Sequence, residues 1–443
     1  MAEASDDAHP AGGASAPERP GVADDPDAPR RTRHGRAAER VPDPVRARRQ
    51  EHLREHNLSV ALASVVDATA PPSRAQIAAA TGLARGTVTG LVDVLIEAGL
   101  VRELDPVAVP RAGRPAVPLV PAAGRIAGVG MEVNVDYLGV RVVDLAGGVL
   151  VERVEQDDLR GADPGDVLDR LAALAGPVLA GLQADGVRVA GTALALPGLV
   201  DRVTGPLRVA PNLGWRDVDV VARLAADPVL ASFPPRLANE ANLAARAEAH
   251  VRRGADGPSF LYVSGEVGVG GALVLDGEIF LGRHGWSGEI GHMVVDGSAR
   301  GGPATLERLA GQDAIATAAG LPAGSRFAEL LAAVEAGDRR ALDAVHGAAR
   351  WLGLALATVA NVVDVGAVVL GGTFGQLYPH VEAPVRDALD AHVIFAPWST
   401  LEVSRARAGA YPAMTGGALA VLRQVVAEPS VWLTPDAAAA SPR

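Results

Sequence analysis

This sequence has no cysteine and no lysine, and it carries no long uninterrupted apolar run. The first absence excludes disulfides and thiolate metal sites. The last excludes the simple signature of a membrane span, which needs roughly 18–20 apolar residues in a row. The N-terminus is charged and rich in proline, unlike the apolar stretch of a secretory signal. The expectation is therefore a cytoplasmic protein with no membrane partner. All 41 basic residues are arginine, which we read as genomic composition bias without functional content. What is present is bulk: 443 residues, half of them hydrophobic, enough for more than one domain with a sizeable core.

Net charge is −11, which taken alone argues against a nucleic-acid partner. Its distribution argues the other way. Arg30 to Arg114 holds 14 arginines against 9 acidic residues, a local +5, so the remainder carries −16. Such asymmetry points to a nucleic-acid-facing end, or to a solvated charge run. Residues 1–45 are rich in Pro, Ala, Gly and Asp without apolar periodicity and read as a disordered tail. Its arginines (Arg30, Arg31, Arg33, Arg36, Arg40) suit DNA backbone, or serve only solubility.

Residues 46–108 read as a winged helix-turn-helix. Leu58, Leu62, Val65 and Val66 recur at helical spacing, and Pro71-Pro72 stops that helix. Ser73 then offers an N-cap and Gln76 completes a capping box. Gly82 falls where the tight turn between two helices needs a positive φ. Ile77, Leu83, Val88, Leu91, Val92 and Leu95 pack the pair, Gly99 ends the second helix, and residues 100–104 read as the first wing strand. The second helix of such a motif enters the major groove by its N-terminal residues. Arg85, Thr87 and Thr89 occupy that end. Arg85 suits a bidentate contact to guanine, and the threonines suit phosphate or a thymine methyl. Arg111 and Arg114, in a glycine-proline segment after the wing, suit phosphate or the minor groove. A small structural helical hairpin is the bland alternative.

Residues 109–124 read as wing and linker. After them strands and helices alternate. Three strands form a meander (126–133, 137–144, 149–154), followed by a helix over 164–184 and a strand over 187–196. A similar order recurs with strands near Phe260 and Leu273, long helices, and a strand over 365–370 running into Gly371-Gly372. Two such halves predict an α/β fold with a cleft between lobes.

Five short motifs in order carry a resemblance. They are Leu196-Pro197-Gly198-Leu199-Val200-Asp201, Pro211-Asn212-Leu213-Gly214-Trp215, Asn239-Glu240-Ala241-Asn242, Gly288-Glu289-Ile290-Gly291-His292 and Leu306-Glu307. Segments 73–115 and 125–425 together resemble the ROK family (repressors, open reading frames and kinases), in its NagC/XylR-like repressor branch. The resemblance implies an actin-like, hexokinase-type pair of α/β lobes over 125–428. It also implies a sugar-binding set of Asn239, Glu240, Glu289, His292 and Glu307, with Asn212 lining the same pocket. Carboxylates and amides at fixed positions suit sugar hydroxyls, which both donate and accept. Residues 429–443 carry no legible signal and are read as a tail.

Departures from the family pattern separate sensor from kinase. The family's kinases carry "DxGGT" after the first strand; here the stretch is Glu132-Val133-Asn134-Val135-Asp136. Side chains replace the glycines, and β-branched Val135 would block close phosphate approach. The second phosphate loop, "GTGxG" in the kinases, is Glu266-Val267-Gly268-Val269-Gly270, where Glu266 sets negative charge against a triphosphate. Glu240 replaces the catalytic Asp, displacing its oxygen by about an ångström. The zinc segment "CxCGxxGC" is Ser298 to Thr305 without a thiolate; without the metal, sugar binding itself would order that loop.

The expectation is a sugar-responsive transcription regulator with no catalytic residue, no metal and no cofactor. Its partners would be operator DNA and a sugar or sugar-phosphate effector, in a homodimer or homotetramer. The rivals are an active sugar kinase with an appended DNA-binding domain, and a DNA-binding protein whose second domain only dimerises.

Overall fold

The computed structural model describes residues 44–106, 116–202, 205–254, 258–298, 302–322 and 324–433, with side chains from Glu51 onward. Contacts divide the chain between Arg49 and Gln50. Of the first unit only the opening of helix α1 (Pro44–Val66) is described.

The second unit begins with the rest of α1, then α2 (Arg74–Thr81), α3 (Arg85–Glu97) and strands β1 (Val101–Glu103) and β2 (Leu119–Pro121). Ser73 Oγ accepts from the Gln76 backbone, and the Gln76 side chain accepts from the Ser73 backbone N–H at 2.8 Å. Gly82 closes α2 at φ 72°. The segment read as wing and linker contains the returning wing strand, β2, which pairs antiparallel with β1 so that Glu103 faces Leu119. Three residues are too few for a period-2 pattern to show, and the fully buried Leu119 side chain holds β2 in place.

Lobe 1 contains β3 (Ile126–Val133), β4 (Tyr137–Asp144), β5 (Val149–Gln156), α4 (Pro164–Ala184) and β6 (Arg188–Leu196). A small sheet of β7 (Leu199–Val200), β8 (Leu207–Ala210) and β9 (Trp215–Val218) follows, with short helices α5 (Val220–Leu224) and α6 (Pro228–Ala231), then β10 (Arg236–Asn239) and α7 (Glu240–Val251). By length and composition α4 is apolar enough to cross a membrane. Here its Val167, Leu168, Leu171, Leu179 and Leu182 are buried in the lobe 1 core. Asp163 starts it, accepting from the backbone of Gly165 and Asp166 ahead of Pro164.

Lobe 2 contains β11 (Phe260–Gly265), β12 (Val269–Leu275), β13 (Glu278–Ile279), β14 (Val294–Asp296) and β15 (Ala304–Thr305). Helices α8 (Leu306–Ala310), α9 (Gln312–Ala319), α10 (Phe327–Glu335) and α11 (Arg339–Val363) follow. The lobe closes with β16 (Ala367–Gly371), α12 (Gly372–Gln376), α13 (Tyr378–His392) and β17 (Glu402–Arg405), and the chain then returns to lobe 1 as α14 (Pro412–Ala427). The two main sheets share one wiring. Their orders are β10-β6-β3-β4-β5 and β13-β12-β11-β16-β17. In each, an antiparallel meander is joined along its first strand to two parallel strands. This is the two-lobed actin-like architecture the resemblance implied.

Two helices join the lobes. α7 lies on the lobe 2 sheet, where Leu243, Ala244 and Ala245 share a core with Tyr262, Ala272 and Val369. α14 lies on the lobe 1 sheet and against α7. Both contacts are at backbone distance and depend on glycine. A Cβ on Gly416 would stand 1.7 Å from the Leu243 carbonyl oxygen, and one on Gly130 of β3 would stand 1.8 Å from that of Met414. α14 also carries the winged helix. Leu58, Leu62, Val65 and Val92 form one core with Ile126, Val143, Leu422 and Val425. Beyond Glu428 the chain continues as a short 3-10 helix (Pro429–Trp432), where the Trp432 carbonyl accepts from Arg188 at 2.9 Å.

Candidate functional site

At the DNA-facing end, burial selects a face. Val88, Leu91, Val92 and Leu95 of α3 point inward, which leaves Arg85, Thr87 and Thr89 exposed on its first turns. Thr89 Oγ donates to the Arg85 carbonyl at 2.9 Å, so its hydroxyl keeps acceptor capacity. Gly86 and Gly90 share this surface, and a Cβ on either would meet nothing within 4 Å. Behind it Arg74 is held by Asp93 at 2.7 Å and by Glu103, tying α2, α3 and the wing together. Arg111 and Arg114 lie outside the described residues, as do the arginines of the N-terminal tail.

The cleft is assembled around the N-terminus of α7. Asn239 caps that helix: its Oδ1 accepts from Ala241 at 2.9 Å and Asn242 at 3.2 Å, and its Nδ2 donates to the Gly198 carbonyl at 3.0 Å. Most of its hydrogen-bonding capacity thus holds the 196–201 loop against α7, with Glu240 presented next in line. Glu307, at the start of α8, accepts from the Val269 backbone at 3.0 Å. It reaches there because residue 268 is glycine: a Cβ would stand 2.3 Å from Glu307 Oε2 and 2.9 Å from Asn212 Nδ2. Asn212 from lobe 1 and Glu307 from lobe 2 therefore meet across the 266–270 turn. Glu289 precedes a 3-10 turn (Ile290–His292), and its charge is felt by Glu240 and opposed by His292. His292 is exposed. Five of the six expected residues thus interlock or interact around the cleft, through α7, α8 and the 288–292 segment; the sixth, His292, stands at its exposed side.

Two carboxyls that the sequence reading treated only as damage to phosphate loops prove to be part of this cleft. Burial raises Glu132 to about 7, against hydrogen bonds from Tyr137 and Asn134 and the pull of Arg141. Burial also raises Glu266 to about 8, helped by Glu132 and Asp136. Glu240 is pushed well up by burial and then by Glu132, Glu266 and Glu289. Burial raises Glu289 too, with His292 opposing and Glu307 adding. Near neutral pH Glu132 and Glu266 therefore keep part of their protons, so they can donate as well as accept, as hydroxyl recognition requires. No motif gives this away: it arises from four separate segments converging in one place, with Glu132 buried and the other three half-buried.

Both arguments about the phosphate loops need correction. Val135 does not face the cleft. Its side chain is 2% exposed and packs in the lobe 1 core with Val133. The altered loop is filled instead by Asn134, whose Nδ2 donates to Glu132 Oε1 at 3.3 Å and whose Oδ1 accepts from the Val135 backbone at 2.6 Å. A loop so tied has no backbone N–H of residue 135 left for a phosphate. Glu266, in turn, is largely protonated near neutral pH, so it opposes phosphate by occupying the turn with a carboxyl more than by fixed charge. Val267 packs against the lobe 1 core.

In the segment that corresponds to the family's zinc motif, residues 299–301 lie outside the described residues. Ser298 caps its own loop, its backbone N–H and Oγ both 2.8 Å from Asp296 Oδ1. Among the described residues no group of three or more His, Asp or Glu is arranged to hold a metal ion. The flanking 281–288 loop is pinned to the 199–202 segment. Trp286 Nε1 donates to the Val200 carbonyl at 3.1 Å, and its ring stacks on His284 at 4.7 Å.

Comparison with known proteins places these features. The ROK family model matches residues 164–424, and the IclR helix-turn-helix domain matches residues 62–105. A transcriptional regulator of Mycobacterium tuberculosis is 31% identical over 348 residues, 74% of this chain and 77% of its own. The xylose repressor of Bacillus subtilis is 25% identical over 328 residues, 73% of this chain and 84% of its own. A crystal structure of a ROK family transcriptional regulator, described as a homologue of the E. coli MLC protein, superposes with a TM-score of 0.69 at 25% identity. It covers 85% of this chain and 97% of that one.

Proposed function

This chain belongs to the ROK family, and from that premise we propose that it is a sugar-responsive DNA-binding transcription regulator, a repressor of carbohydrate-metabolism genes. The observation that carries this reading is the union of two surfaces in one core. An unencumbered recognition-helix face (Arg85, Thr87, Thr89) sits on helices whose core runs into α14, and α14 packs on the helix that presents Glu240 to the cleft. A free sugar or a sugar phosphate entering the cleft would bond Glu240, Glu289, Glu307, Asn212 and His292, with Asn239 holding the α7 terminus in place.

The domain would bind its sugar without phosphorylating it; in support, Asn134 takes up the backbone N–H of Val135, and Glu266 sets a carboxyl in the turn that corresponds to the family's second phosphate loop. Ligand shifts operator affinity only by binding one lobe arrangement better than another. We place the protein in the cytoplasm with its DNA, as a homodimer or homotetramer on a palindromic operator. Arg111 and Arg114 would add backbone or minor-groove contacts.

Thermal unfolding against D-xylose, D-glucose, their 6- or 5-phosphates and ATP-magnesium tests this. A ligand at 100 times its dissociation constant adds about 2.7 kcal/mol. A shift with a sugar and none with ATP is the expected result. A shift with ATP together with ADP release would replace this reading with an active kinase.

A further inference from the structure

We propose that Asp67 is a latch between the lobes: it holds one arginine from each, and the hold on the lobe 2 side is how cleft movement reaches the winged helix. This deepens the reading above by naming its route. Asp67 directly follows α1, the first helix of the DNA-binding unit. Its carboxylate takes both oxygens to Arg423 Nη1 at 2.8 Å, and its Oδ1 also meets Arg253 Nη1 at 2.8 Å. The two arginines follow different helices, which meet closely at Gly416 and Leu243 and diverge from there. Arg423 is on α14, which shares its core with the winged helix and packs on the lobe 1 sheet. Arg253 lies two residues past the end of α7, on the connection that enters β11 of lobe 2.

The surroundings fit a joint that is meant to move. Among the described residues, the apolar core of the winged helix packs on lobe 1, α14 and the 3-10 turn at Trp432; its ties to the lobe 2 side at this point are small and polar. Beside Arg253, Gly254 lies so near Thr69 that a Cβ there would stand 2.6 Å from the threonine methyl. Glu278 of β13 stands 3.9 Å from Arg423 and 4.0 Å from Arg246, longer than a tight pair. Cavities of about 250 and 330 Å³ flank the latch, and Arg253, Arg423 and His250 line both. A well-packed interface transmits strain as a rigid body; an ion pair between open spaces can break and re-form as one lobe turns against the other. α7 is a 12-residue rod, about 18 Å long at 1.5 Å per residue. It carries Glu240 at one end and Arg253 just beyond the other, so a lobe 2 rotation pivoting on the close α7–α14 contact at Leu243 and Gly416 would swing Arg253 away from a carboxylate that stays with lobe 1.

The absence of cysteine makes the test clean, since introduced cysteines are the only labelling sites. Spin labels at Glu97→Cys on α3 and Val362→Cys on α11 report the winged helix against lobe 2 in the full-length protein. A second pair, Glu97→Cys with Val149→Cys on β5, reports it against lobe 1. Arg253→Met, and independently the near-isosteric Asp67→Asn, should broaden or shift the first distance distribution; Arg253→Met should leave the second unchanged. An unchanged first distribution in a folded Arg253→Met protein overturns the latch, and so does an equal change in both pairs. Adding D-xylose or D-glucose to the wild type separates the two readings. A sugar-induced shift that Arg253→Met abolishes supports both. Silence to every sugar, with the Arg253→Met change present, sinks the sensor reading and leaves the latch standing.

Discussion

Replacing Glu132 by glutamine should make the protein more stable at alkaline pH, and the size follows from where that carboxyl sits. Glu132 is 2% exposed on β3, and burial lifts it from the ordinary 4.5 to about 7. Between those two values the folded protein keeps a proton that the unfolded chain has released. Stability therefore falls as pH rises through that window and levels off above it. At 1.36 kcal/mol per tenfold change in proton affinity, the whole window amounts to about 3 kcal/mol. Glu132 helps to raise both Glu240 and Glu266, so removing its charge redistributes part of the strain among the three. The expected gain for Glu132→Gln is about 1–2 kcal/mol near pH 8, with none near pH 4. Glutamine keeps the oxygen that accepts from Asn134 and cannot ionise. Urea unfolding of both proteins, followed by circular dichroism across that pH range, measures the difference. If wild type and variant lose stability in parallel as pH rises, Glu132 does not hold its proton in the cleft and the account of a proton-sharing site fails.

Three further outcomes follow from named contacts. Arg85→Ala should weaken binding to a selected operator by about 1–3 kcal/mol and relax preference at one base position; a uniform loss across all sequences, read by fluorescence anisotropy, would reduce Arg85 to a phosphate contact. Gly268→Ala should evict Glu307 from the Val269 backbone, because the new methyl would stand 2.3 Å from its carboxylate; calorimetry should show sugar affinity lost, and retained affinity would remove Glu307 from the pocket. Gly416→Ala should destabilise the whole protein by about 1–3 kcal/mol or more through overpacking, since α14 and α7 meet there at backbone distance; a thermal melt matching the wild type would show that the two helices can separate.

Local chemistry in this chain is legible wherever neighbours in sequence are neighbours in space. Ser73 with Gln76, the Gly82 turn and the start of α4 behind Asp163 rest on contacts a few residues long, and the three-strand meander on pairs of neighbouring strands joined by short turns. So does the apolar face of α3, which by elimination exposes Arg85, Thr87 and Thr89. The motifs at 196–201, 211–215, 239–242, 288–292 and 306–307 pointed to the cleft because each is a loop or helix terminus of fixed local form.

What only the tertiary structure decided are the facts that depend on convergence. Val135 follows the altered loop in sequence, yet its side chain turns into the lobe 1 core, and a β-branched residue carries no label saying which side of a loop it fills. β2 is three residues long and exists because β1 lies beside it. Asn239 spends itself on a helix cap and the Gly198 carbonyl before any ligand arrives. The upward shifts of Glu132, Glu240 and Glu266 come from burial, reinforced at Glu240 and Glu266 by Glu132 more than a hundred positions earlier in the chain. Asp67, unremarkable in its own segment, gains its two arginines from positions 253 and 423. Residue type and spacing determine which groups a chain can offer; desolvation and partnership, which set what those groups do, are properties of the folded arrangement alone.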